Sequence, residues 1–138
     1  MALKDKLNFA IKLHAKGDLE SAEKLYNEII NSDCLNFDAL HYQGVIKYQQ
    51  GKLEQSKELI QKAINTGKKN PQIYSNYANT LKALGLFEEA IANYKKAIQL
   101  NPKFYQAYSN LGVAYLEKNN INEAIKNFNK SILFNPKY

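Results

Sequence analysis

The sequence repeats itself with a period of 34 residues. When one copy is aligned with the next, small residues correspond to small residues, as Ala90 to Ala124. Large residues likewise correspond to large ones, as Tyr94 to Phe128. Repetition at a fixed period of this length predicts stacked supersecondary units that bury a continuous core between them. Four consecutive copies cover almost the whole chain: residues 3–36, 37–70, 71–104 and 105–138.

Each copy is predicted to form two helices joined by a tight turn. In the third copy, apolar residues recur at helical spacing over residues 73–84 and again over residues 87–98. Asn70 can cap the first helix, and Gly85 supplies the left-handed residue that commonly ends one. The second helix should stop just before Pro102, since proline disfavours helix in the residue that precedes it.

The residues at fixed positions of the copies resemble the tetratricopeptide repeat. The pattern of that family is a large residue, then Leu-Gly, Tyr, Ala, Phe, Ala and Pro. The resemblance implies an all-α fold, a right-handed α-solenoid of four helix-turn-helix units. It implies a single array over residues 1–138, which we expect to be part of a longer protein. The fourth copy follows the pattern most closely, with Tyr108, Leu111, Gly112, Tyr115, Ala124, Phe128 and Pro136.

The first two copies depart from this pattern. Gln43 and Lys47 stand where apolar residues are usual, and Lys68 replaces the proline of the second copy. In the first copy, Lys6 occupies the first large position. These substitutions predict looser packing toward the amino-terminal end.

The chain is basic, with a formal net charge of +6, and all its basic residues are lysines. Arginine makes the commonest bidentate contacts to guanine and phosphate, so its absence counts against specific nucleic-acid recognition. A nonspecific polyanion binder stays open as a third, weaker hypothesis. The sequence favours a solvated outer surface for the lysines of the second helices: Lys62, Lys95, Lys96, Lys126 and Lys130.

Cysteine usage and hydropathy indicate a cytoplasmic protein. The one cysteine, Cys34, cannot form a disulfide within the chain, which suits a reducing compartment. The amino terminus carries charges too early for a signal peptide, and no apolar run approaches the length of a membrane span. We expect no membrane partner.

No catalytic or metal-binding constellation is recognisable in the sequence. His14, His41 and Cys34 do not have a metal-ligand spacing. Glu88 and Glu89 suit the first turn of a helix, where the helix dipole favours them. The glycines are isolated, so no phosphate-binding loop is formed. We therefore expect no enzymatic activity, no catalytic residues, no metal and no cofactor.

The remaining candidate site is a surface. In tetratricopeptide proteins the first helix of each repeat lines a concave groove, mainly through positions two, five, six, nine, twelve and thirteen. The resemblance therefore implies a non-catalytic protein–protein interaction scaffold that binds an extended peptide segment in this groove. The residues expected to contact the peptide are Asn8, His41, Tyr42, Asn76, Asn79, Lys82, Asn110 and Val113.

Asparagine occupies position six in three of the four repeats, at Asn8, Asn76 and Asn110. A carboxamide offers a donor and an acceptor together, so it can pair with both polar groups of one peptide unit. This series resembles the asparagine ladder of the protein O-linked N-acetylglucosamine transferases, which holds extended peptide backbones. Tyr42 interrupts the series in the second repeat. The alternative is that these asparagines only solvate the groove.

Two further expectations concern the parent protein and self-association. As an alternative function, the repeats are the amino-terminal targeting or substrate-recruiting arm of a larger glycosyltransferase or sulfotransferase. The last repeat has no capping helix after it, so it should expose an apolar patch that supports a weak homodimer. That patch is predicted to comprise Tyr115, Ile121, Ile125, Phe128, Leu133 and Phe134.

Overall fold

The computed structural model describes residues 1–137, in which eight α-helices and no β-strand occur. Two helices fall in each predicted repeat, with a short turn between them. The helices are α1 (Leu3–Ala15), α2 (Leu19–Ser32), α3 (Phe37–Gln49), α4 (Leu53–Asn65), α5 (Pro71–Ala83), α6 (Phe87–Leu100), α7 (Tyr105–Glu117) and α8 (Ile121–Phe134).

The helix ends follow the predicted local signals. The Asn70 side chain accepts hydrogen bonds from the backbone N–H groups of Gln72 and Ile73, at 2.7 and 3.3 Å, and so caps α5. Gly85 adopts a φ of +79° after that helix, and Asn119, at the same position of the fourth repeat, adopts +60°. Gly85 is confirmed as the left-handed residue that follows the first helix, and Asn119 has the equivalent place in the fourth repeat.

The helices form two compact units of two repeats each. Unit 1 is Met1–Lys69 and contains α1 to α4, and unit 2 begins at Asn70 and contains α5 to α8. Within each unit, the second helix of one repeat packs against the first helix of the next, as α2 does on α3 and α6 on α7. The two first helices of a unit also contact each other.

A glycine in the first helix of the later repeat lets two helices approach closely in both units. A Cβ atom added to Gly44 would lie 2.5 Å from the Ile60 side chain, and one added to Gly112 would lie 2.7 Å from the Phe128 ring. Fully buried tyrosines, Tyr26 in α2 and Tyr94 in α6, occupy the second helices of the earlier repeats. The spacing of small and large residues therefore sets the distance between helices.

Paired polar groups replace apolar side chains at the contact between α2 and α3. Gln43 is only 2% exposed, as is Leu111 at the same position of unit 2. The Gln43 Nε2 group donates a 3.0 Å hydrogen bond to Asn27, whereas no donor within residues 1–137 reaches its Oε1 atom. Gln43 is therefore buried despite its polarity, and looser packing toward the amino-terminal end stays a prediction.

Lys47 is the second polar replacement at this contact. Its Nζ atom lies 2.7 Å from the Glu23 carboxylate, which also accepts a 2.7 Å hydrogen bond from Gln50. Hydrogen bonding from Lys47 lowers the pKa of Glu23, while burial opposes that change. In the same unit, Lys6 forms an ion pair with Glu28 at 3.4 Å. Gln43, Lys47 and Lys6 thus each have a partner on α2. Lys68 instead lies 4.0 Å from the Asp38 carboxylate on α3.

Within the described part of the chain, no helix is both long and apolar enough to cross a membrane.

Candidate functional site

The first helices present a defined set of side chains, which we call the inner face of each unit. It consists of positions two, five, six, nine, twelve and thirteen of each first helix. Position five is largely a packing position, because Ser75 and His41 are both buried. In unit 2 the inner face is formed by Gln72, Ser75, Asn76, Asn79, Lys82, Ala83, Gln106, Ser109, Asn110, Val113, Leu116 and Glu117.

The asparagines on α5 are oriented by hydrogen bonds from neighbouring side chains. Gln72 Nε2 donates to Asn76 Oδ1 at 3.1 Å, and the hydroxyl of the buried Tyr94 donates to Asn79 Oδ1. The Tyr94 hydroxyl uses one of the two lone pairs of the Asn79 oxygen, so this bond fixes which carboxamide atom is the oxygen and which is the Nδ2 donor. On the neighbouring first helix, Asn110 is half-buried at the same repeat position as Asn76.

Lys82 adds a partly desolvated cation to the same face. The side chain is half-buried, and its ammonium group lies 5.9 Å from the centroid of the Tyr94 ring. Burial lowers the pKa of Lys82, and the negative charge of Glu117 opposes that change. Asn79, Lys82 and Asn110 therefore give unit 2 a polar inner face rich in hydrogen-bond donors.

The inner face of unit 1 is aromatic instead. The Tyr42 ring stacks on Tyr26, with centroids 5.9 Å apart, and on His41, with centroids 5.2 Å apart. The His14 ring stands edge-on to Tyr42 at 6.2 Å, and its Nε2 atom is hydrogen-bonded to Gln49 Oε1 at 3.0 Å. The rings of Tyr42, His41 and His14 are therefore engaged with one another.

Among the predicted contact residues, His41 alone has a buried side chain. Its side chain is 3% exposed, between Tyr42 on one side and Phe37 on the other. Burial lowers the pKa of His41 to about 4, although the nearby Asp38 carboxylate opposes this change, so the ring is neutral at physiological pH. The ring is enclosed in this structure, and a contact of His41 with a ligand stays a prediction.

The structure brings together the predicted site residues of unit 2. Asn76, Asn79 and Lys82 lie on α5, and Asn110 and Val113 lie on the adjacent α7. In unit 1, the exposed Asn8 lies on α1 and the half-buried Tyr42 on α3.

Sequence reasoning missed Tyr94, which fixes the orientation of Asn79. A signal for this pair was present in the sequence, because position nine is apolar in the other repeats, at Ile11, Val45 and Val113. One polar residue at an otherwise apolar position, near a buried tyrosine hydroxyl, indicates a hydrogen bond between the two.

Comparisons with known proteins agree with this geometry. Family models described as "TPR repeat" and "Tetratricopeptide repeat" match residues 78–119 and 105–138. Residues 78–138 are therefore matched by tetratricopeptide repeat models. These repeats and the solved structures below support a protein-interaction scaffold, whereas none of the comparisons shows the predicted resemblance to O-linked N-acetylglucosamine transferase arrays.

Solved structures of tetratricopeptide proteins share the fold. The chain is similar to MamA, with 24% identity, a TM-score of 0.84, and coverage of 92% of this chain and 74% of MamA. A tetratricopeptide repeat protein from Parabacteroides merdae matches with 27% identity and a TM-score of 0.81, covering 99% of this chain and 54% of that protein. A chain of the Cut9–Hcn1 hetero-tetramer of the APC/C matches at 14% identity with a TM-score of 0.94, covering 99% of this chain and 28% of that one. No curated protein sequence matches the chain. The fold class is an all-α helical-repeat solenoid.

Groups that could carry other chemistry are sparse in this tetratricopeptide chain. Within residues 1–137, no three His, Cys, Asp or Glu side chains are grouped closely enough to hold a metal ion. Cys34 is a free, exposed thiol.

The apolar patch predicted on the last repeat is smaller than expected. Ile121, Ile125 and Leu133 are exposed, in agreement with the prediction. Tyr115, however, is only 9% exposed, and the Phe134 ring packs on Tyr108 of its own repeat with centroids 5.5 Å apart. The prediction is wrong for Tyr115, because this ring fills the contact between α6 and α7. A weak homodimer through the remaining residues stays a prediction.

Proposed function

We propose that the inner face of unit 2 binds an extended segment of another protein. The observation that carries this proposal is the placement of Asn76 and Asn110 at the same position of adjacent first helices, both half-buried. Successive carboxamides on neighbouring helices can each pair with one peptide unit of an extended chain. Main-chain pairing of this kind is indifferent to the side chains of the ligand.

Each neighbouring residue has a role in this proposal. Asn79 Nδ2 donates to a ligand carbonyl, and the hydrogen bond from Tyr94 orients the carboxamide for this contact. Lys82 donates to a second acceptor, and its partial burial strengthens that contact relative to a fully hydrated lysine. Val113 supplies apolar contact between the polar groups.

Unit 1 contributes less to binding in this proposal. Asn8 is exposed on α1, and Tyr42 offers a ring surface for an apolar side chain of a ligand. His41 has no direct contact and instead supports Tyr42 by stacking on it. The alternative function, as a recruiting arm of a larger transferase, stays a prediction.

A peptide-display selection tests the proposal. Random extended peptides are selected on the wild-type protein and on the Asn76→Ala/Asn110→Ala variant, and retained peptides are then titrated by fluorescence anisotropy. We expect each substitution to weaken binding by about 0.5–1.5 kcal/mol, the net contribution of a typical hydrogen bond. Asn129→Ala is the matched control, because this asparagine is exposed on the second helix α8, outside the inner face.

Two results would count against the proposal. One is selection of the same peptides with the same affinity by the double variant while circular dichroism shows an intact fold. The other is an equal loss of affinity in the Asn129→Ala control.

A further inference from the structure

Each unit contains a cavity between its second helices and the first helix of its later repeat. In unit 2 the cavity has a volume of about 240 Å³ and lies among α6, α7 and α8. In unit 1 a cavity of about 300 Å³ lies among α2, α3 and α4. Corresponding residues of the two cavities are 68 positions apart, so the cavities are equivalent sites of the repeat.

The two cavities differ in charge. Three lysines, Lys95, Lys126 and Lys130, line the cavity of unit 2 with a single carboxylate, that of Glu123. Within residues 1–137, none of these three ammonium groups forms an ion pair. The positive charge around this cavity is therefore not neutralised by the protein.

Unit 1 has a balanced set of charges at the equivalent place. Its cavity is lined by Lys47, Lys62 and Glu58. Lys47 is already engaged by the Glu23 carboxylate at 2.7 Å. The cavity of unit 1 therefore lacks the excess of unpaired lysines and serves as an internal comparison.

Tyrosine rings hold two of the lysines at the cavity of unit 2. The Lys95 ammonium lies 6.0 Å from the centroid of the Tyr115 ring, and that of Lys130 lies 5.7 Å from the centroid of Tyr108. The Tyr108 hydroxyl donates a 2.9 Å hydrogen bond to the Pro102 carbonyl, which fixes that ring. Attraction to a ring face positions an ammonium group without cancelling its charge.

We propose that the cavity of unit 2 binds a compact, multiply charged anion of the phosphate class. Lysine binds phosphate as a point charge, and three such charges facing one carboxylate favour a ligand that carries at least two negative charges. The volume of about 240 Å³ admits a phosphate group with bound water, given about 30 Å³ of liquid volume per water molecule. The concave shape favours a small anion over the flat surface of a membrane.

This site is independent of the peptide-binding proposal. The lysines lie on the second helices α6 and α8, whereas the inner face is formed by the first helices. Either proposal can fail while the other holds.

The test is a titration of the full chain with sodium pyrophosphate at constant ionic strength, followed by backbone amide chemical shifts. We expect saturable shifts around Lys95, Lys126 and Lys130. Lys126→Gln and Lys130→Gln should each weaken binding roughly three- to tenfold, within the net contribution of one ordinary hydrogen bond. Lys62→Gln is the matched control, because Lys62 occupies in unit 1 the position that Lys130 occupies in unit 2.

Three outcomes would overturn the proposal. The first is the absence of saturation, and the second is an equal loss of affinity in the Lys62→Gln control, which would indicate attraction by the total charge alone. The third outcome comes from a separate measurement of binding to phosphatidylcholine vesicles that contain phosphatidylserine. Vesicle binding that pyrophosphate fails to displace would assign these lysines to a membrane surface instead.

Discussion

The two units share the same repeat but differ in the residues that form the contact between repeats. A shift of 68 residues places Gln43 and Lys47 of unit 1 on Leu111 and Tyr115 of unit 2. In unit 1 the contact between repeats is held by hydrogen bonds and an ion pair, whereas the equivalent residues of unit 2 form an apolar and aromatic contact. Burial at the shared position is the same in both, at 2% exposure for Gln43 and Leu111. The same buried position is therefore filled by a polar side chain in unit 1 and by an apolar one in unit 2.

The inner faces differ for a related reason. Tyr26 and Tyr94 are equivalent, fully buried tyrosines whose hydroxyl groups need a partner. In unit 1 that partner is His14 at 3.5 Å, and in unit 2 it is Asn79. The His14 ring belongs to an aromatic cluster, whereas Asn79 belongs to a polar row. The partner of the buried tyrosine hydroxyl is therefore part of an aromatic cluster in unit 1 and part of a polar row in unit 2.

The largest effect expected from this comparison comes from exchanging the residues at the contact between repeats. Leu111→Gln should destabilise the protein by about 2–4 kcal/mol, because apolar burial is lost and a buried amide lacks the partner that Asn27 provides in unit 1. Gln43→Leu should stabilise it by about 1 kcal/mol, since it removes an acceptor with no donor. Urea unfolding measures both. Equal destabilisation by the two exchanges would show that polar and apolar contacts are not interchangeable here.

A smaller effect is expected from removing the two buried hydroxyl groups. Tyr94→Phe should cost about 0.5–1.5 kcal/mol, the net contribution of one hydrogen bond. Tyr26→Phe should cost less, because its 3.5 Å contact with His14 is at the limit of hydrogen bonding. Thermal unfolding of the two variants measures the two losses of stability. A larger loss for Tyr26→Phe would contradict the assignment of Asn79 as the stronger partner.

The smallest expected effect is a loss of stability at acid pH that comes from a contact in unit 1. Hydrogen bonding from Lys47 lowers the pKa of Glu23 below its ordinary value of 4.5, so the contact is fully stabilising above that pH and is lost as the pH falls through the folded-state pKa. Glu23→Gln should cost about 1 kcal/mol or less at neutral pH and should reduce the loss of stability below about pH 4.5. Unit 2 has Ile91 at this position, so Ile91→Val should leave the pH profile unchanged. An unaltered profile in Glu23→Gln would contradict the role given to this carboxylate.

The fold could be predicted from the sequence because its signals are local. The Asn70 cap and the left-handed residues Gly85 and Asn119 act within one turn of the chain, and their outcome does not depend on distant partners. Small residues at fixed spacing likewise determined where the helices approach, as at Gly44 and Gly112.

The details of the site could not be predicted, because they depend on contacts between helices. The repeat position of His41 placed it on the inner face, yet Phe37 and Tyr42 enclose its ring. The partners of Gln43 and Lys47 lie on α2, in a different repeat, so their pairing is visible only once the helices are packed. Which carboxamide atom of Asn79 is occupied likewise depends on the Tyr94 hydroxyl, fifteen residues away.

The most direct test of the account exchanges position six between the units and measures binding of a selected extended peptide. Asn110→Tyr gives unit 2 the residue that unit 1 has at Tyr42, and Tyr42→Asn makes the reverse change. The peptide contacts are proposed to lie in unit 2. Asn110→Tyr should therefore weaken binding about tenfold or more, because a hydrogen bond is lost and the larger side chain blocks the surface. Tyr42→Asn should change affinity by less than that, with circular dichroism confirming that both variants are folded. Full affinity in Asn110→Tyr, or a greater loss in Tyr42→Asn, would contradict the claim that the polar inner face of unit 2 is the binding site.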